Sequence, residues 1–151
     1  MLYTTLLLIH ILLAITAVGF NLSYTVWLLR SQNMPKEITA FALSGIKFMD
    51  DRIANPAYGL LLVTGLLMVF TGPWSLTTRW IDVALGAFAV LVLLAAVGYT
   101  PALRNQIRTL ESDGPGSEAY QAAARRQTIF GIAFAPLLLF ILYLMVFKPF
   151  G

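Results

Sequence analysis

The sequence predicts an all-α, polytopic membrane protein: a four-helix bundle with both termini outside and a helical hairpin reaching into the cytoplasm between spans three and four. Three observations carry that prediction. Hydrophobic residues make up 59% of the 151 positions and charged ones 11%, with mean hydropathy +0.81, a balance foreign to soluble globular domains. The apolar residues gather into four runs close to or beyond the ~20 residues that cross a bilayer. The basic residues sort to alternate connections, a topology signal.

Span one covers about residues 2–29, span two about 53–70, span three about 81–103 and span four about 128–147, in a single domain over 1–151. Each must be helical, because a sheet edge or loop facing lipid leaves backbone groups unpaired. No positive stretch precedes span one, so despite the cleavage-like Ala14-Ile15-Thr16-Ala17 it is expected to be a retained anchor. The first connection carries Arg30, Lys36, Lys47 and Arg52, and the third Arg104, Arg108, Arg125 and Arg126. The second has only Arg79 and the tail only Lys148. That asymmetry puts connections one and three in the cytoplasm of a bacterial inner membrane, with Met1 and Gly151 outside.

The connections have structure of their own. Pro35 precedes Ile38, Phe41, Ala42, Gly45 and Met49, the spacing of a short amphipathic helix on the interface or under the bundle. Asp50-Asp51-Arg52 is expected to cap span two, with Pro56 in its first turn. Trp27, Trp74, Trp80 and Phe150 fall near span ends as an aromatic belt. Pro73 after Gly72 punctuates the outer turn, where Asp82 reads as an anchor beside Arg79. Span three continues towards Glu111, Asp113-Gly114-Pro115-Gly116 turns the chain, and Ser117 caps a helix that runs into span four, where Pro136 should introduce a kink. The hairpin would project roughly 10–15 Å at 1.5 Å per residue.

Composition excludes several kinds of function. A pI near 9.5 without a basic stripe argues against nucleic acid as a partner. With no cysteine there is no disulfide, thiolate zinc site or cysteine-held iron–sulfur cluster in the chain. Neither a phosphate-binding glycine loop nor a hydrolase motif occurs.

One residue stands out. His10 is the sole histidine and lies inside span one, where an imidazole is either a ligand or a hydrogen-bonded fastener between helices. Helical steps from it reach Ala14, Ala17, Asn21 and Tyr24, and small residues there admit a neighbouring helix or a flat macrocycle. In the same leaflet the topology places Gly65 and Met68 of span two and Tyr143 and Met145 of span four. His/Met is a known axial pair for haem, and Tyr143 could bond the imidazole instead. His10 is thus the candidate metal ligand, and Met68, Tyr143, Ala14 and Ala17 are the other candidate cofactor contacts. Bis-histidine haem within one chain is excluded.

Several short motifs point to a family. Leu8-Ile9-His10-Ile11-Leu12, Asp51 with Asn55-Pro56, Thr64-Gly65-Leu66, Tyr99-Thr100-Pro101 and Leu144-Met145-Val146-Phe147-Lys148-Pro149 span nearly the whole chain. Together they resemble a bacterial family of predicted integral membrane proteins defined by a domain of unknown function. That family is similar, more distantly, to CopD-like copper-resistance proteins and to HemJ-type haem-binding membrane proteins. The resemblance implies haem b or a porphyrin near His10, or copper handling. A second histidine and further basic residues inside the bundle are missing, so only His10 carries over.

Three functional expectations follow. The first is a haem-binding redox protein with His10 as axial ligand. The second is a cofactor-free accessory or assembly subunit, a homo-oligomer or part of a larger membrane complex, whose small-residue seams bind partner helices. The third is a small metal or solute permease lined by Asn21, Tyr24 and span four. Whether the protein is an enzyme is left open at this point.

Overall fold

The computed structural model describes residues 1–149, which form helices and short connections with no strand among them. Helix α1 is Leu2–Ser31. Helix α2, Lys36–Met49, passes through a π-helical turn at Asp50–Ala54 into α3, Asn55–Thr71. Helix α4, Arg79–Leu94, passes likewise through Ala95–Tyr99 into α5, Thr100–Asp113, and α6 is Glu118–Phe147. These make four continuous rods, each long and apolar enough to cross a membrane.

Proline accounts for both π turns. Pro56 and Pro101 lack an N–H and would press on the carbonyl four residues back. The helix widens just upstream: the Asn55 N–H reaches the Asp50 carbonyl, and the Thr100 N–H the Ala95 carbonyl, five residues back in each case. The chain therefore passes each proline without ending. Helix α6 also runs unbroken through Pro136.

This continuity corrects two expectations. Asp50-Asp51-Arg52 does not cap a span, because it lies inside a rod. Asp50 turns inward and accepts from Asn55 Nδ2 at 3.4 Å, whereas Asp51 turns outward to pair with Lys47. The amphipathic helix exists as α2, but its buried face is Thr39, Ala42, Leu43 and Ile46. Ile38 and Phe41 are exposed, because α2 docks under α1 and α5 through the face that continues to Asp50.

At the hairpin the expected signals hold. Gly114 takes φ +83°, which a side chain would resist, and Ser117 Oγ accepts from the Tyr120 N–H at 3.1 Å. Lys36 Nζ donates to the Glu111 carbonyl at 2.7 Å, tying the start of α2 to the end of α5. At the opposite end, Trp74 and Trp80 meet edge to face at 5.3 Å, and Lys148 Nζ sits 4.9 Å from the Trp74 ring. Trp80 is 6% exposed, so it packs inward and does not belong to a belt. Phe150 lies outside the described residues.

Close packing concentrates at the hairpin end. The core cluster is Tyr24, Leu43, Ile46, Ala54, Leu91, Tyr99, Leu103, Leu110 and Phe134. Towards the termini, α1 packs along α3 and α4 along α6.

Candidate functional site

The α1/α3 seam is built from small residues and polar ties. At the end nearest Met1 the Tyr3 ring lies against Gly72, where a Cβ would come within 2.6 Å of it. Further in, His10 Nδ1 and Thr64 Oγ1 are 2.8 Å apart, and a Cβ at Gly65 would lie 3.3 Å from His10 Cε1. Ala17 is fully buried in the middle of the seam. About three turns past His10, Asn21 Nδ2 donates to the Tyr58 hydroxyl at 2.8 Å and to the Ala17 carbonyl at 2.9 Å. The stripe of His10, Ala14, Ala17, Asn21 and Tyr24 thus faces into the bundle, while Leu8 and Ile15 are exposed.

Thr64 has more than one partner for its hydroxyl. Thr64 Oγ1 donates its single proton to the helix carbonyl of Leu60 at 2.8 Å, with the Leu61 carbonyl at 3.2 Å. With its proton so placed, its oxygen is open to accept from a His10 Nδ1–H. The neutral ring then carries a lone pair on Nε2. Among the described residues His10 makes one side-chain hydrogen bond, through Nδ1, and the Leu61 carbonyl also lies within reach of the ring. A nitrogen held by an acceptor while the other stays free is the arrangement a metal-ligating imidazole needs.

The other expected site residues are spread more widely. Met68 is half-buried on α3, one turn beyond Thr64, and Ala14 is half-buried on α1. Tyr143 is 47% exposed on α6 and stacks on Phe147 at 4.9 Å, and α6 packs chiefly on α4 and α5. No hydrogen bond among the described residues joins Tyr143 to His10. The imidazole's partner is Thr64, which the sequence showed only as part of a short motif. Recognising it required knowing that α1 and α3 pair.

A second polar group lies deeper, beside the π turns. Tyr24 and Tyr99 are buried in the core cluster, Tyr58 packs against it, and Asp50 is buried in the first π turn. Tyr99 meets Phe134 edge to face at 5.7 Å, and Gly98 lets Phe130 approach so closely that a Cβ would sit 2.3 Å from its ring. No cluster of three or more His, Cys, Asp or Glu occurs among the described residues.

Fold and seam together define a four-span helical membrane protein whose lone histidine is fastened between two spans. The family described as predicted integral membrane protein (DUF2269) matches residues 4–149, and the chain belongs to it. No curated protein and no solved structure matches the chain.

Proposed function

We propose that the protein binds haem b or a related porphyrin in the bacterial inner membrane, with His10 Nε2 as an axial ligand, for a redox role. The observation that supports this is the 2.8 Å contact between His10 Nδ1 and Thr64 Oγ1, whose own proton has the Leu60 carbonyl to go to; an Nδ1–H donated to Thr64 would leave Nε2 for the ligand role. The residues present fit one axial position. They also restrict where a macrocycle could lie: Ala17 and Gly65 already close the seam, so it would rest against the outside of the α1/α3 pair. The bound group would supply one-electron chemistry; the chain's part is to orient one imidazole and hold it neutral. Met68, one turn beyond Thr64 on α3, or a residue of a second copy would be the further donor to such a group.

The visible spectrum of detergent-purified protein tests this. A Soret band with reducible α and β bands is expected, and His10→Gln should abolish it, since an amide replaces the hydrogen bond but is a poor iron ligand. Folded wild-type protein without colour after expression with ample haem overturns the proposal.

The close seat of the ring on Gly65 favours a second reading, in which His10 only fastens α1 to α3 in a cofactor-free membrane subunit. His10→Gln would then keep full function.

The proposed orientation places the hairpin in the cytoplasm, supported by the basic residues of the first and third connections. The chain has no cysteine, so Gly116→Cys introduces a unique thiol in open space. In intact cells it should resist an impermeant thiol reagent, while Thr77→Cys should label. The reverse pattern would invert the topology.

A further inference from the structure

We propose that Asp50 is a proton-binding site, whose carboxyl loads and releases a proton near neutral pH inside the packed core at the hairpin end. The site stands apart from His10 and does not depend on the reading of that residue.

Its position comes from the rod. Leu43, Ile46, Asp50 and Ala54 follow one another at helical spacing, and all four are buried. The three apolar members belong to the core cluster that also holds Tyr24 and Tyr99. The first π turn thus sets a carboxyl on the stripe that faces the core, with Asp50 only 6% exposed. Asp50 also lies just before the apolar run of about 53–70, and the neighbouring Asp51 and Arg52 are exposed. A buried acid therefore stands one residue away from a charged surface, where a proton can be exchanged.

Its partners are few. Asn55 Nδ2 donates to it at 3.4 Å, which is long for a hydrogen bond. Among the described residues no ion pair includes Asp50, because Lys47 of α2 pairs with Asp51. The remaining titratable groups on the packed elements are Tyr24 of α1, Tyr58 of α3 and Tyr99 of the second π turn, all neutral hydroxyls, while Arg30 and Arg52 are exposed. A buried carboxylate without a cation is costly, and taking up a proton removes the cost. Burial accordingly pushes the Asp50 carboxyl above its usual range, and the Asp51 charge adds to this. In the same core the Tyr24 hydroxyl is 2% exposed and has no partner. By rotating, a hydroxyl accepts from a neutral acid or donates to a carboxylate, so the core is equipped for both protonation states. The turn packs against α1, and loading the proton removes a charge from that contact.

The test is infrared difference spectroscopy of full-length protein in detergent micelles, stepped between about pH 5 and pH 8, above the ordinary aspartate value of about 3.9. A protonated-carboxyl band should grow as pH falls through this window, vanish in Asp50→Asn and persist in Asp51→Asn. Thermal unfolding supplies a second readout. An acid whose pKa is raised in the folded state loses stability as pH climbs from its unfolded to its folded value. Asp50→Asn should therefore flatten the decline of Tm across the window and hold or raise Tm at its upper end. If Asp50→Asn fails to fold, Asp50→Glu carries the comparison, since it keeps an acid there and should move the band in frequency and midpoint. The proposal is overturned if wild-type protein shows no such band, if the band survives Asp50→Asn, or if Asp50→Glu leaves it unmoved. It is also overturned if no band forms and sodium, exchanged for choline at constant ionic strength, stabilises wild type but not Asp50→Asn; that result would make Asp50 the ligand of a bound cation.

Discussion

The two ends of this bundle are held by different forces. At the hairpin end, α2 and α5 carry charges on one face and bury Leu43, Ile46, Leu103 and Leu110 completely on the other. Charged faces belong in water, so burial there draws on the hydrophobic effect, about 1.5–3 kcal/mol per large apolar side chain. Towards the termini the surroundings are lipid, as apolar as leucine, and that driving force disappears. What remains is close backbone approach at Ala17, Gly65 and Gly72 and one polar tie, His10–Thr64. Cohesion at one end scales with buried apolar area; at the other it scales with fit. The candidate ligand histidine sits at the end with less to lose from rearrangement.

The sharpest way to break this contrast is to delete a side chain from each end. Leu103→Ala removes a fully buried side chain of the core and should cost about 2–5 kcal/mol in reversible unfolding in detergent. Leu8→Ala, on the lipid-exposed face of α1, should stay within about 0.5 kcal/mol. Equal effects would mean that the packed layer does not dominate stability.

Overpacking probes fit instead of area. Gly98→Ala brings a Cβ within 2.3 Å of the Phe130 ring, and Ala17→Leu forces open the α1/α3 seam. Each should cost about 1–3 kcal/mol. Phe130→Ala should rescue Gly98→Ala in part, because it removes the atoms in conflict. If Ala17→Leu is harmless while Leu8→Ala is damaging, the faces of α1 are reversed.

Much of this was legible in the sequence, and the gaps have physical causes. Composition and apolar runs specify spans because lipid permits so few backbone solutions. The inward stripe from His10 through Ala17 to Tyr24 follows from helical spacing alone. Thr64 and Tyr58 were hidden as partners, since which residues meet across a seam depends on how two helices register. Asp50 and Asp51 read as caps because a proline six positions after Asp50 usually marks a helix start; a π turn lets the rod continue. Asn55-Pro56 and Thr100-Pro101 are the same device twice, and that recurrence was the available signal. Gln106 and Gln127 lie among arginines and threonines, where a polar residue reads as solvated, and only the folded hairpin shows them buried.

The smallest expected effect carries the finest information. Thr64→Val keeps shape but removes the acceptor for His10 Nδ1–H. Interhelical hydrogen bonds in membranes average about 0.6 kcal/mol and reach about 1.7, so the stability loss should fall in that range. A double-mutant cycle with His10→Leu isolates the pair, and its coupling should match that figure. A coupling near zero would show that the bond does not fasten α1 to α3. If the imidazole ligates iron, the same substitution should do more than loosen the seam. Freed from Thr64, the ring can turn, Nδ1 and Nε2 exchange roles, and the reduced spectrum should broaden or shift while haem remains bound. Thr64→Ser, which restores the acceptor, should recover both stability and spectrum. A Thr64→Val variant that loses stability with an unchanged spectrum would leave His10 as a fastener and remove the argument for its second nitrogen as a ligand.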